Sequence, residues 1–168
     1  AMSFIIACID NEGGIGLNND LPWKHTIHGK NDMKLFKDVT NNNAIIMGYN
    51  TYKSVGKCLP NRLNIIVSNQ HYDELKSKNI NGLHVFKSLD EAVLFGKAYE
   101  EKTNKKCFIC GGSMIYDAYF DICSPKEIYI SELDENYKCD SFFPVKKMKQ
   151  LVPLKVEHLF HKMVIYKY

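Results

Sequence analysis

The sequence lacks the apolar run of roughly 18 to 20 residues that a membrane-spanning helix requires, and it lacks a marked excess of either charge. Its 22 basic residues nearly balance its 19 acidic residues, and the net charge of +3 is too small to indicate a nucleic-acid partner. Internal repeats, low-complexity segments and Ser/Gly linkers are also absent. We therefore expect one soluble domain over residues 1–168, with no membrane or nucleic-acid partner.

The N-terminal residues show no charged-then-apolar pattern of a secretory signal. This absence bears on the six cysteines, because disulfides form mainly in oxidising compartments. We expect the cysteines to be reduced thiols in a cytoplasmic protein.

Short apolar runs alternate with helical patterns through most of the chain. Runs such as SFIIACI (residues 3–9) are apolar on both faces, which is typical of strands in a parallel, doubly covered sheet; similar runs cover residues 44–47, 64–67 and 107–110. Helical patterns follow at residues 32–39, after Ser88, where Glu91 completes a capping box, and after Gly112. The alternation predicts an α/β domain with right-handed crossovers.

The last part of the chain differs from this alternation. Residues 126–133, 154–160 and 163–168 have strand patterns, with no helix of useful length between the last two. These patterns predict an antiparallel pair at the C-terminus.

Two charged residues are candidates for ligand binding. Asp32 opens the helix that carries Leu35 and Phe36, so it is either a first-turn acid favoured by the helix dipole or a carboxylate facing a pocket. Arg62 is the only arginine among the 22 basic residues. It is either a solvated surface residue or a bidentate clamp on a ligand carboxylate, which lysine cannot reproduce.

Two glycine-rich segments follow predicted strands. Residues 13–16 (GGIG), followed by Leu-Pro-Trp at 21–23, suit a flap over a flat ligand, although GGIG alone also fits an ordinary turn. The spacing is not a Rossmann fingerprint. Residues 110–112 (CGG) precede a helix, and this arrangement either seats a pyrophosphate or only shapes the turn.

Cysteine and histidine spacing does not indicate a metal site. Cys107 and Cys110 are three residues apart in a strand, which sends their sulfurs to opposite faces. No second Cys or His pair lies nearby, and no two histidines have the H-x-x-x-H spacing.

In chain order, the segments GIGLNNDLPW, DMKLFK, IIMGYNTYKSVGKCLPNRLNIIVSNQ, FICGGSMIY, SELD and CDSFFP resemble dihydrofolate reductase over essentially the whole chain. The resemblance implies a central mixed eight-stranded sheet, mostly parallel with an antiparallel C-terminal strand, and helices on both faces. It also implies NADPH-dependent reduction of 7,8-dihydrofolate to 5,6,7,8-tetrahydrofolate, which supports one-carbon metabolism and thymidylate synthesis. NADPH would be the cofactor, antifolate inhibitors would bind, and the protein would be a monomer.

The resemblance further assigns residues to the site. The residues implied to act in catalysis are Asp32, Leu21 and Trp23. The residues implied to bind substrate are Ile6, Asp32, Phe36, Val55, Lys57, Leu59, Arg62, Cys110, Tyr116 and Ser131. The residues implied to bind NADPH are Cys8, Gly14, Ile15, Gly16, Leu17, Asn18, Asn19, Asp20, Asn50, Thr51, Ser68, Asn69, Lys87, Gly111, Gly112, Ser113, Met114, Ile115, Tyr116 and Asp117.

The chain departs from the family pattern at three places. The segment of residues 24–31 is read as a longer loop than in common bacterial members, and Cys58 and Cys110 replace other residues of the pocket wall. Where many members place arginine or lysine for the 2′-phosphate of NADPH, this chain has Tyr49, Asn50 and Met114, which leaves Lys87 and Lys53 with Ser68 and Asn69.

Three rival interpretations remain. A same-fold pyrimidine reductase of riboflavin synthesis would need ribose-phosphate recognition but not Asp32 together with Arg62. A non-catalytic folate- or nucleotide-binding protein would bind ligand without oxidising NADPH. A redox or zinc module built on Cys107 and Cys110 is the third, and metal analysis of the purified protein tests it.

Overall fold

The computed structural model describes residues 3–159 and 162–168, which form ten strands and six helices. The strands are β1 (Phe4–Ile9), β2 (Gly14–Gly16), β3 (Ala44–Gly48), β4 (Leu63–Val67), β5 (Leu83–Phe86), β6 (Cys107–Ile109), β7 (Glu127–Glu132), β8 (Ser141–Phe142), β9 (Lys155–His158) and β10 (Met163–Lys167). The helices are α1 (Ile27–Thr40), α2 (Tyr49–Val55), α3 (Tyr72–Ser77), α4 (Leu89–Thr103), α5 (Ser113–Ile122) and α6 (Val145–Lys149).

Eight strands form one sheet in the order β5-β4-β3-β6-β1-β7-β10-β9, and β2 pairs with β8 in a separate small sheet. In the large sheet, β10 runs antiparallel to both β7 and β9, and the remaining pairs are parallel. This topology confirms the predicted α/β class, the eight strands and the antiparallel C-terminal pair. The strand predicted over residues 154–160 is β9, and Phe160 lies outside the described residues.

The sheet is covered on both faces, as its continuous apolar strands predict. Successive residues of β1 alternate between two core clusters: Ile5 belongs to the first and Ile6 to the second. Helix α4 contributes Ala92 and Val93 to the first cluster, and α1 contributes Leu35 to the second. Each side of the sheet therefore has its own core.

Helix α1 corrects two predictions. It begins at Ile27, five residues before Asp32, because the Thr26 side chain caps it by accepting a hydrogen bond from the Gly29 N–H at 3.0 Å. Asp32 is thus not a first-turn acid, and residues 27–31, which include His28, are helical rather than loop. The sequence obscured this turn because glycine is a poor helix former. Gly29 is nevertheless required here, since a Cβ would collide with the Trp23 carbonyl oxygen.

The other predicted helices are confirmed, and several short elements were not predicted. Ser88 caps α4 by accepting from the Glu91 N–H at 3.3 Å, as the capping box indicates. Strands β2, β5 and β8 and helices α3 and α6 have two to six residues each, too few for a periodic signal. No helix of the described residues is long and apolar enough to span a bilayer.

Candidate active site

The parallel strands bring most of the predicted cofactor residues to one edge of the sheet. In open α/β sheets, ligands bind outside the carboxyl ends of the strands. The segments that follow those ends here are residues 14–20 after β1, Asn50 and Thr51 after β3, Ser68 and Asn69 after β4, Lys87 after β5, and residues 111–117 after β6.

Asp32 meets two polar side chains of adjacent strands. Cys8 of β1 and Ser131 of β7 are Cα partners in the parallel register, and both approach the Asp32 carboxyl. Burial raises the pKa of this carboxyl, and the nearby Ser131 hydroxyl and Cys8 thiol offset part of that increase. A partly buried carboxylate of this kind can hold a polar heterocycle and share a proton with it.

Two buried polar atoms of predicted site residues have no hydrogen-bond partner among the described residues. Ser131 Oγ approaches Asp32 closely enough to lower the pKa of its carboxyl, yet it forms no hydrogen bond of normal geometry with a described residue. Trp23 Nε1 likewise has no partner among the described residues, although Trp23 is buried. Because buried donors and acceptors are nearly always satisfied, both atoms fit contact with a polar ligand or its water.

The predicted apolar wall is assembled around the second core cluster. Ile6 and Leu59 belong to that cluster, and Phe36, Val55 and Cys110 pack against it. These residues come from β1, α1, α2 and the segments after α2 and β6, so the wall forms only in the folded chain. Such a surface suits the flat ring of a heterocycle.

Cys107 does not share this wall. It belongs to the first core cluster, on the other face of the sheet from Cys110, as the strand spacing predicts. The two sulfurs therefore do not converge on a metal or a disulfide.

The glycine pair after β6 is packed against Tyr116. Gly111 has φ +105°, and a Cβ there would lie 2.9 Å from the Tyr116 ring. The Tyr116 hydroxyl donates to the Ile6 carbonyl at 2.7 Å, which ties α5 to β1. The Gly111–Gly112 peptide bond is cis, and Gly112 is the N-cap of α5. The turn thus presents an unobstructed backbone and a helix N-terminus at the strand end, as anion binding requires.

Arg62 is half-buried and bound to the protein. Its Nε donates to Thr40 Oγ1 at 2.9 Å, its Nη1 to the Pro60 carbonyl at 2.6 Å, and its Nη2 to the Lys37 carbonyl. A guanidinium has five N–H donors, so one on each Nη remains. The fully solvated interpretation is therefore wrong, and the guanidinium keeps N–H donors with which it can bind a carboxylate.

Asn64 is a supporting residue that the sequence did not reveal. Its buried side chain accepts from the Leu59 N–H and donates to the Leu59 and Arg62 carbonyls, each at 3.0 Å. These bonds fix the irregular segment that carries both predicted substrate residues. Its position inside a strand gave no signal of this role.

The predicted flap is an ordered hairpin. Leu17 and Asp20 exchange backbone hydrogen bonds of 2.9 and 3.1 Å, and Asn18 and Asn19 between them have φ of 53° and 62°. Asparagine tolerates this left-handed conformation, which the turn requires at both positions. Asp20 Oδ1 also accepts a hydrogen bond from Ser54 Oγ at 3.0 Å, which links the tip of the flap to α2.

Asp10 anchors the base of the flap and was not predicted. It is buried, and its carboxylate accepts from the N–H groups of Glu12 (2.9 Å), Gly14 (2.8 Å) and Tyr137 (3.0 Å). Burial raises the pKa of Asp10, but these bonds outweigh burial and lower it overall. The sequence feature that could have indicated Asp10 is its position as an acidic residue directly after an apolar strand.

A family model for dihydrofolate reductase matches residues 1–159. The chain belongs to the dihydrofolate reductase family. It is 34% identical over 143 residues to the dihydrofolate reductase of Bacillus subtilis, covering 85% of this chain and 75% of that protein. It superposes on a dihydrofolate reductase from Enterococcus faecalis, solved in complex with NADP(H) and RAB-propyl, with a TM-score of 0.74, 26% identity and coverage of 99% and 95% of the two chains.

A longer relative also matches. The segregation and condensation protein A of Mycoplasmoides gallisepticum is 34% identical over 138 residues, which are 82% of this chain but only 21% of that protein. The reductase-like region therefore also occurs as a small part of larger chains.

The chain is an oxidoreductase that uses NADPH, and the geometry at the ends of its strands fits that cofactor. The glycine pair puts the N-terminus of α5 directly after the carboxyl end of β6, which is where α/β sheets bind a pyrophosphate. Of the assigned cofactor residues, Met114 has an exposed side chain, and the Asp117 carboxylate lies 3.1 Å from Lys147 Nζ of α6. Lys57, assigned to substrate, is exposed after the end of α2.

Proposed function

We propose that this enzyme reduces 7,8-dihydrofolate with Asp32 as the carboxylate that binds the pterin ring nitrogen and amino group and assists protonation at N5. The approach of Cys8 and Ser131 to a partly buried Asp32, beside an apolar wall, carries this proposal. Burial raises the pKa of the carboxyl, which favours a group that exchanges a proton with its ligand. The Ser131 hydroxyl would support it through water or the pterin amino group.

NADPH held at the strand ends would supply the hydride for the reduction, and Asp32 would assist delivery of the proton to N5. The remaining residues position and enclose the reactants. The glycine turn and the N-terminus of α5 would bind the pyrophosphate. The flap of residues 14–20, with Leu21 beside it, would exclude water from the two stacked rings.

Arg62 is proposed to bind the α-carboxylate of the glutamate tail. Its bonds to Thr40, Pro60 and Lys37 orient the guanidinium before a ligand arrives. This leaves less side-chain entropy to lose on binding. The two charged residues would then hold opposite ends of one ligand.

Mixing the purified protein with NADPH and dihydrofolate tests the proposed activity. The reduced-nicotinamide absorbance should fall only when both ligands are present, and NADH is measured in parallel. Loss of absorbance without dihydrofolate would indicate another oxidation, and no loss with either cofactor would contradict the proposal. A non-catalytic binding protein would still bind NADPH in the same samples.

We also propose that the enzyme binds antifolate inhibitors, acts as a monomer and resides in the cytoplasm. Inhibitors that share the pterin-like ring would meet Asp32 and the apolar wall. The six free cysteines support a reducing compartment. Light scattering of the purified protein measures the oligomeric state, and fractionation of the source cell measures the location.

A further inference from the structure

The indole of Trp23, the only tryptophan of the chain, lies against the helix that carries Asp32. A Cβ at Gly29 would lie 3.1 Å from Trp23 Cδ1, so the indole packs closely on this turn of α1. Asp32 is three positions farther along α1, and residues at this spacing are neighbours on one helix face. Given the proposed function, on which this inference rests, the unpartnered Nε1 of the buried indole is a donor for a ligand, or its water, beside Asp32.

The main chain of Trp23 is fixed by the start of α1, but this does not fix the direction of its ring. The Trp23 carbonyl accepts from the Thr26 N–H at 3.0 Å and from Thr26 Oγ1 at 2.8 Å. These bonds leave the indole free to turn about its χ2 torsion, which is broad for aromatic side chains. The direction of the Nε1–H bond must therefore be set by groups that pack against the ring.

The half-buried ring of Tyr137 makes such a contact. Its centroid lies 5.2 Å from that of Trp23, and the two planes meet at 66°, an edge-to-face arrangement. Aromatic pairs prefer this geometry because the positive edge of one ring meets the negative face of the other. Turning the indole would lose the arrangement, so the contact favours one orientation of the indole.

Tyr137 is itself held by the residues that follow β1. Its N–H donates to Asp10 Oδ2 at 3.0 Å, while Asp10 Oδ1 accepts from the Gly14 N–H at 2.8 Å. The Asn11 N–H donates to the Glu135 carbonyl at 3.1 Å, two residues before Tyr137. The buried Asp10 carboxylate thus joins the segment that carries Tyr137 to the base of the flap. A ring anchored in this way is preorganised to orient its neighbour.

We infer that Tyr137 is a positioning residue for the reduction: its ring, anchored through Asp10 and packed edge-to-face on Trp23, aims the indole N–H at the substrate or its water. Tyr137 acts through Trp23 and need not touch the reactants. A misdirected donor would leave the substrate bound but poorly placed, and small misplacements in an active site lower reaction rates strongly. The loss should therefore appear in the rate of the chemical step more than in substrate affinity.

Three variants test the ring contact. Tyr137→Leu removes the aromatic ring but keeps an apolar side chain, and Tyr137→Phe keeps the ring and removes only the hydroxyl. Phe120→Leu is the matched control, because Phe120 is also half-buried and packs edge-to-face on Phe143, with ring centroids 6.2 Å apart. It packs against the first core cluster, away from the apolar wall of the site.

Four measurements compare these proteins. Single-turnover reduction of dihydrofolate by enzyme saturated with NADPH measures the chemical step, which product release can hide in steady-state rates. Calorimetry measures dihydrofolate affinity in the absence of NADPH, and urea unfolding measures stability. Because Trp23 is the only tryptophan, its fluorescence emission and iodide quenching report directly on the surroundings of the indole.

Tyr137→Leu should slow the single-turnover rate about three- to tenfold, shift the indole emission and change dihydrofolate affinity by less than about twofold. Tyr137→Phe should restore the wild-type rate and emission, and Phe120→Leu should lose stability without a change in rate. A wild-type rate in Tyr137→Leu, or an equal loss of rate in Tyr137→Phe or Phe120→Leu, would overturn this inference alone. If the wild-type protein does not reduce dihydrofolate, the proposed function fails and this inference fails with it.

Discussion

Substituting Gly111 by alanine tests how closely the glycine turn is fitted to α5. The new methyl group would lie 2.9 Å from Tyr116 Cε2 and 3.1 Å from Cζ, on a backbone with φ +105°. Tyr116 is 4% exposed and bonded to the Ile6 carbonyl, so its ring has little room to move. The substitution therefore combines backbone strain with overpacking.

The two contributions have comparable magnitudes. An L-residue at such a φ costs about 1–3 kcal/mol, and overpacking of a buried ring costs about 1–3 kcal/mol. We expect Gly111→Ala to lower the free energy of unfolding by about 2–6 kcal/mol, a large share of the 5–15 kcal/mol typical of a domain. The melting temperature should fall by on the order of 10 °C.

Gly56→Ala is the matched control for this substitution. Gly56 has φ +90°, but a Cβ there would meet no atom within 4 Å, so its variant has the strain without the clash. Urea unfolding of both variants without NADPH separates the two contributions, since the cofactor would mask part of the loss. If Gly111→Ala loses no more stability than Gly56→Ala, the contact with Tyr116 does not constrain this turn.

Three other substitutions test the charged residues. Asp32→Asn should lower turnover at least about 100-fold in steady-state assays, and a near-wild-type rate would remove Asp32 from its role. The same substitution should raise the free energy of unfolding at neutral pH, measured in urea, because burial raises the pKa of Asp32 and its ionised form therefore opposes folding. Arg62→Lys should bind folates with and without the glutamate tail equally well in calorimetry, whereas retained discrimination would assign the tail to another residue. Hydrogen bonds lower the pKa of Asp10, so the ionised carboxylate stabilises the fold above the pKa of the unfolded chain, and this stabilisation is lost as the pH falls below about 4. The melting temperature of Asp10→Asn should therefore depend less on acid pH than that of wild type. Equal dependence in the two proteins would contradict this role of Asp10.

Local signals in the sequence predicted the elements that depend on neighbouring residues. The apolar runs of β1 and β3 and the capping box at Ser88 are encoded within a few residues, and the structure confirms them. The predicted start of α1 was wrong because Gly29, a poor helix former, lies in the first turn. Only the close approach of Trp23 explains why a glycine is needed there. The resemblance in ordered motifs then supplied the family, which composition could not.

The sequence by itself determined the α/β class, the antiparallel C-terminal pair and the residue types at the site. Only the tertiary structure decided which of them meet. Cys8 and Ser131, which are 123 positions apart in the chain, both approach Asp32, and Arg62 donates a hydrogen bond to Thr40 at the end of α1. The contact between the Tyr137 and Trp23 rings joins two segments that carry no shared motif. Secondary structure follows from interactions between near neighbours, whereas a carboxyl's pKa or an arginine's free donors depend on groups that only folding brings within a few ångströms.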